Sequence, residues 1–134
     1  MTKSLSTPRS LRITNRGRDQ LIQVKRKIPF ENWNAICRWA LVQSLLEDTL
    51  PPKLDNTGDS SVEMSWDVFS GGTGRLYWEV LIQWSIERGL DPEAEDIDAL
   101  FRRHIHRGIA ALAGRPEFNS LENLLQSMAV LSDA

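Results

Sequence analysis

Two histidines and three arginines crowd into "FRRHIHRGIAAL" (residues 101–112), the run in which a metal or an acid–base pair would be sought first. His104 and His106 are two apart, which on a helix turns them roughly 200° from each other, so they cannot share one ion. His104 also falls on the apolar stripe Ile97, Phe101, His104, Ile105, Gly108, Ile109, Leu112, where a hydrogen-bonded core or interface histidine is expected. Arg103 and Arg107, four apart on one flank, either clamp an anion or an acidic partner together or pair with acids of their own helix, and the spacing leaves both open. "SGGTGR" (residues 70–75) puts glycines ahead of a helix, as a phosphate cradle does, but lacks the Gly-Lys-Ser/Thr ending of a P-loop. Cys37 lies on an apolar stripe and is expected to act as a small hydrophobe. No nucleophile, base and orienting acid recur at a recognisable spacing, so no catalytic residue, metal or cofactor is expected.

The single cysteine excludes an intrachain disulfide and a multi-cysteine zinc site, which fits a reducing compartment such as the bacterial or archaeal cytosol. No stretch approaches the eighteen or so apolar residues that crossing a bilayer requires, so no membrane partner is expected. The first eighteen residues are rich in Arg and Ser, but Pro8 and Asn15–Gly17 would interrupt the amphipathic helix of a transit peptide. The charge distribution is more telling. Eight of the 16 Lys and Arg lie within residues 1–27 against one acid, Asp19, although the whole chain carries a net charge of -2. Such an asymmetry fits a nucleic-acid-binding segment on an otherwise acidic body, and also some disordered tails.

The elements that must position these groups follow from periodicity. Residues 1–8 are expected to be a flexible end, and residues 9–134 one domain. Ser10–Thr14 alternates polar and apolar residues as a short strand does, with Leu11 and Ile13 inward and Ser10, Arg12 and Thr14 outward. A helix over Arg16–Arg26 follows, with Asn15 as N-cap, and a second over Glu31–Glu47 carries Trp33, Ile36, Cys37, Ala40, Leu41, Ser44 and Leu45 on one stripe. "DTLPPKLDNTGDSS" reads as a loop and Val62–Trp66 as extended. A third helix runs from Thr73 or Gly74 to Arg88, apolar almost all round and so buried, in part by other subunits. A fourth opens with Asp91 as cap and Pro92 at its first position and reaches Ala113; a last one covers Ser120–Leu131. The fold class is therefore mainly α: a ribbon-helix-helix-like strand-helix-helix followed by about three further helices, in a single, oligomeric domain. One five-residue strand needs a partner, and two chains pairing their strands would form a ribbon able to enter the major groove. The amino end of the second helix, near Asn32–Asn34, would offer backbone amides to a phosphate.

Three stretches, "LRITNRGRDQLIQVK" from Leu11, "WNAICRWALVQSL" (Trp33–Leu45) and "HIHRGIAAL" (His104–Leu112), together resemble the DndE family, the small component of the bacterial DNA phosphorothioation (sulfur modification) system. The resemblance spans nearly all of Leu11–Leu125. It implies a helical, ribbon-helix-helix-related homotetramer that binds duplex DNA, preferring nicked duplex, in the bacterial cytoplasm at the nucleoid. The chemistry would belong to partners: a cysteine desulfurase, an iron–sulfur ATP-pyrophosphatase-like protein and an ATPase. The turn "KRKIPFEN" lacks the glycine that the family pattern carries there. Arg9, Arg12, Arg16, Arg18, Lys25, Arg26, Lys27, Asn34 and Arg38 are the expected nucleic-acid contacts, and Arg103 and Arg107 the expected anion or partner contacts. The alternatives are an oligomeric protein–protein scaffold within that complex and an autonomous ribbon-helix-helix repressor.

Overall fold

The alternation over residues 10–14 is realised as strand β1 (Ser10–Thr14), with Leu11 and Ile13 buried. The computed structural model describes residues 5–29 and 31–115; the first four residues and the helix expected over 120–131 lie outside that range. Helix α1 (Asn15–Lys27) follows without a loop. Its cap is Thr14 rather than Asn15, because Thr14 is the last residue still extended (φ -66°, ψ 165°) and its hydroxyl accepts from Gly17 N at 3.0 Å. Thr14 is therefore buried instead of facing outward with Arg12. Leu21, Val24 and Ile28 recur on the inward side of α1, as their spacing predicts.

Between α1 and helix α2 (Trp33–Leu45), Ile28 N donates back to Val24 O at 2.9 Å, and Glu31 N donates to Ile28 O at 3.3 Å. The sequence of this turn supplies no glycine, and no non-glycine residue among those described has a positive φ.

Strand β2 (Asp59–Ser65) runs antiparallel to β1, pairing Ser10 with Ser65, Leu11 with Met64, Arg12 with Glu63 and Thr14 with Asp59, with an irregularity between Arg12 and Thr14. The two-stranded ribbon thus closes within one chain, and the pairing of β1 between two chains is not what completes it. On the side away from β2, Arg102 Nε donates to Arg12 O at 2.7 Å and His106 Nε2 accepts from Thr14 N at 3.0 Å, so side chains meet backbone groups that a further strand would use.

A short helix that periodicity does not mark, α3 (Trp66–Ser70), begins where the extended stretch was expected to end. Ser65 Oγ accepts from Val68 N at 3.2 Å to start it, and Gly71 at φ 63° stops it. Helix α4 (Leu76–Glu87) buries Trp78, Leu81, Trp84 and Ser85 but leaves Leu76, Val80 and Ile86 about half exposed, so within one chain it is not buried all round. Helix α5 (Ile97–Gly114) starts later than Pro92: Asp96, directly ahead of the first buried residue, accepts from Ala99 N at 3.1 Å. Asp91 instead closes a local turn through Glu93 N. Glu93 and Glu95 consequently precede the helix and do not line its first turn.

The core forms where α2 crosses α5. A Cβ on Gly108 would lie 1.8 Å from Ala40 O, so the crossing needs glycine there. Trp66, Phe69, Trp78 and Phe101 fill one end as a cluster of tilted and edge-on rings 5.1–6.0 Å apart.

Candidate nucleic-acid interface

Four of the expected nucleic-acid contacts, Arg9, Arg16, Arg18 and Arg26, are exposed and form no ion pair with a described residue. Three of them belong to α1. Its buried residues fix one side of the helix, and at 100° per residue Arg16, Arg18 and Arg26 spread over the other. Arg18 and Arg26 share a strip through Ile22, about 12 Å apart along the axis. The one acid on this face is Asp19. With no acid in the first turn and Lys25, Arg26 and Lys27 in the last, α1 carries a strongly positive outer surface.

The remaining candidates are engaged. Arg12 Nη2 pairs with Glu63 Oε2 at 2.5 Å, while its Nη1 donates to Ser60 O at 3.0 Å. Lys25 Nζ donates to Glu31 O across the turn, and Lys27 Nζ to Ala113 O at 2.8 Å. Asn34 Nδ2 and Arg38 Nη1 reach Val68 O at 3.2 Å and Phe69 O at 2.8 Å, so both half-buried side chains satisfy carbonyls at the end of α3. Backbone amides at the start of α1 are also taken: Asn15 N donates to Gly58 O at 2.8 Å and Arg16 N to Thr57 Oγ1 at 3.0 Å. That leaves side chains rather than the helix terminus to meet an anion on α1.

Within the chain, Arg103 and Arg107 turn to the end of α2 and the loop after it. Arg103 donates to the carbonyls of Pro51 and Pro52. Arg107 donates to Ser44 Oγ and Ser44 O, both at 2.7 Å, and to Thr49 O at 2.9 Å, with Glu47 Oε2 at 3.0 Å. They hold the end of α2 and its following loop against α5, and the acids of their own helix are not their partners.

The histidines are structural, each in its own way. Ser44 Oγ lies 2.7 Å from His104 Nδ1, and burial, with Arg107, Arg103 and Arg88 nearby, pushes the imidazole down to about 3. His106 accepts from Thr14 N through Nε2 and donates from Nδ1 to Arg102 O at 2.8 Å, which fixes the neutral tautomer; burial lowers its pKa as well. Burial raises the Cys37 thiol to about 12, far from a reactive thiolate. Among the described residues no group of three or more His, Cys, Asp or Glu is placed to hold a metal ion, and no helix is long and apolar enough to cross a membrane.

Arg102, Asp59 and Glu63 were not singled out by sequence spacing, yet they surround Arg12. Arg102 bridges Arg12 O and the Asp59 carboxylate, and its hydrogen bond holds that carboxyl below its ordinary range. Nothing local marks them: Arg102 is 90 residues from Arg12, and only the topology brings them together. No curated protein matches the chain significantly. The family described as DNA sulphur modification protein DndE matches residues 10–120, most of the molecule and every element that builds the basic face, and the chain therefore belongs to that family and to DNA sulfur modification.

Proposed function

We propose that the chain is a non-enzymatic DNA-binding subunit of the bacterial DNA sulfur modification machinery, working in the cytoplasm at the nucleoid. It holds duplex DNA, nicked duplex included, through the outer face of α1. The observation that carries this reading is the set of exposed arginines, Arg16, Arg18 and Arg26, on a face with one acid. Guanidinium groups without a partner among the described residues are suited to phosphate oxygens, and such contacts grip the backbone independently of base sequence. Sulfur transfer, ATP use and redox chemistry then fall to a cysteine desulfurase, an iron–sulfur ATP-pyrophosphatase-like protein and an ATPase. A repressor that inserts a ribbon shared by two chains is disfavoured, because β1 finds its partner in β2.

A salt series on intact and nicked duplex tests it. If about four to six phosphates are neutralised, log K falls against log salt with a slope near -4 to -5, and each of Arg16→Gln, Arg18→Gln and Arg26→Gln reduces that slope by about 0.9. A slope near zero, or variants that leave it unchanged, sinks the reading.

A second, compatible reading has its own observation. Val42 and Leu45 of α2, Leu46 just past its end, and Val80 and Trp84 of α4 line an open apolar groove of about 400 Å³. Apolar surface of this kind favours a protein–protein contact, either between copies in a homotetramer or with the partner proteins.

A further inference from the structure

An open cleft of about 550 Å³ lies between β1 and the start of α5, in which Arg9, Arg12 and Arg102 meet Asp59, Glu63, Asp96 and Asp98. Three positive and four negative groups leave the cleft repelling a polyanion despite its arginines. Two of those carboxylates are held where an anion would bind. The Glu63 carboxylate spans Ser10 Oγ, which donates to Oε1 at 2.7 Å, and Arg12 Nη2, at 2.5 Å from Oε2. Asp59 accepts from Arg102, whose other arm holds Arg12 O. Both pairs reach solvent, with Arg12 and Glu63 side chains 40% and 41% exposed. A carboxylate and a phosphate present similar acceptor oxygens to a guanidinium fork.

We propose that Glu63 and Asp59 act as internal stand-ins for DNA phosphates, occupying Arg12 and Arg102 and so withholding most of what these two arginines could contribute to DNA affinity. The proposal rests on the DNA-binding reading above. It follows from the register: Arg12 faces Glu63 across the ribbon, so the arginine of β1 is occupied by its own sheet. Exposed ion pairs contribute little, so the restraint is one of degree.

The test uses the full chain and an intact duplex. Glu63→Gln keeps an oxygen for Ser10 while removing the charge that holds Arg12. The expected result is an affinity about three- to fivefold higher, the scale of one exposed pair, and a salt slope steeper by about 0.9 as Arg12 gains a phosphate. Arg12→Gln should then change the parent affinity less than about twofold, yet cancel the whole gain in the Glu63→Gln background. Asp59→Asn, with Arg102 freed, serves as the second variant should the first melt early. An unchanged slope in both acid variants, or an Arg12→Gln cost equal in the two backgrounds, overturns the proposal while the parent slope of -4 to -5 preserves DNA binding. Slopes near zero in every form overturn both.

Discussion

The hydroxyl of Ser44 links a cation to a neutral histidine. It accepts from Arg107 Nε, so its own proton goes to His104 Nδ1, and the imidazole keeps its proton on Nε2, buried without a hydrogen-bond partner and edge-on to Trp84, with ring centroids 4.5 Å apart. A second proton would place a charge there beside Arg107, Arg103 and Arg88. With a folded pKa of about 3 and an ordinary value of 6.5, the unfolded chain binds this proton first as pH falls. Stability is therefore full above about pH 6.5 and declines below it, by about 1.4 kcal/mol per pH unit from this residue until the folded pKa is reached. Urea unfolding at pH 7, 5.5 and 4.5 should show that decline, and His104→Leu, which leaves Ser44 to Arg107, should flatten it. The pairing of His104 with the apolar stripe was legible from spacing alone. Its partner Ser44 was marked only as a member of another helix's stripe.

Each element owes its ends to a few side chains and its place to packing. The strand-to-helix junction shows both: Thr14 caps α1, Asp55 Oδ2 accepts from the same hydroxyl at 2.8 Å, and His106 takes the Thr14 amide. A sequence pattern can place a cap only within a residue or so, because Thr14 and Asn15 both offer the acceptor and the sheet decides which residue stays extended. The start of α5 moved further, from Asp91 to Asp96, because Asp91 closes a local turn of its own and Asp96 stands ahead of the first buried residue. The α2–α5 crossing is less forgiving. Gly108→Ala must push Ala40 away, so it should lower stability by about 1–3 kcal/mol or more, read as a lower urea midpoint. Ala110→Ser, on the exposed side of the same helix, should move that midpoint little.

At the scale of the whole molecule, the described residues present two surfaces that differ in kind, one basic and one apolar. The α1 face carries Arg16, Arg18 and Arg26, while Val42, Leu46 and Val80 leave apolar area along α2, its C-cap and α4. Half-exposed side chains of that size rarely stand together on a monomer without purpose. If the groove joins copies of the chain, Leu46→Asp or Val80→Asp should reduce the mass measured in solution by light scattering, without lowering the melting temperature of the fold by more than a few degrees. An unchanged mass would assign the groove to a different protein. The two surfaces are independent in their chemistry: salt should weaken binding to DNA and leave an apolar contact largely intact.

Taken alone, the sequence determined the order strand, helix, helix, the inward stripes of α1, α2 and α5, the divergence of His104 from His106 and the positive bias of the first 27 residues. All of these are set by neighbours within a turn or a pleat. Only the tertiary structure decided which cations are available. Arg12 meets Glu63 51 positions away, Arg107 meets Ser44 63 away, and Arg102 reaches back 90 to Arg12. Whether a charged side chain is free or spent depends on which distant segments the topology lays beside it, and no local period carries that information.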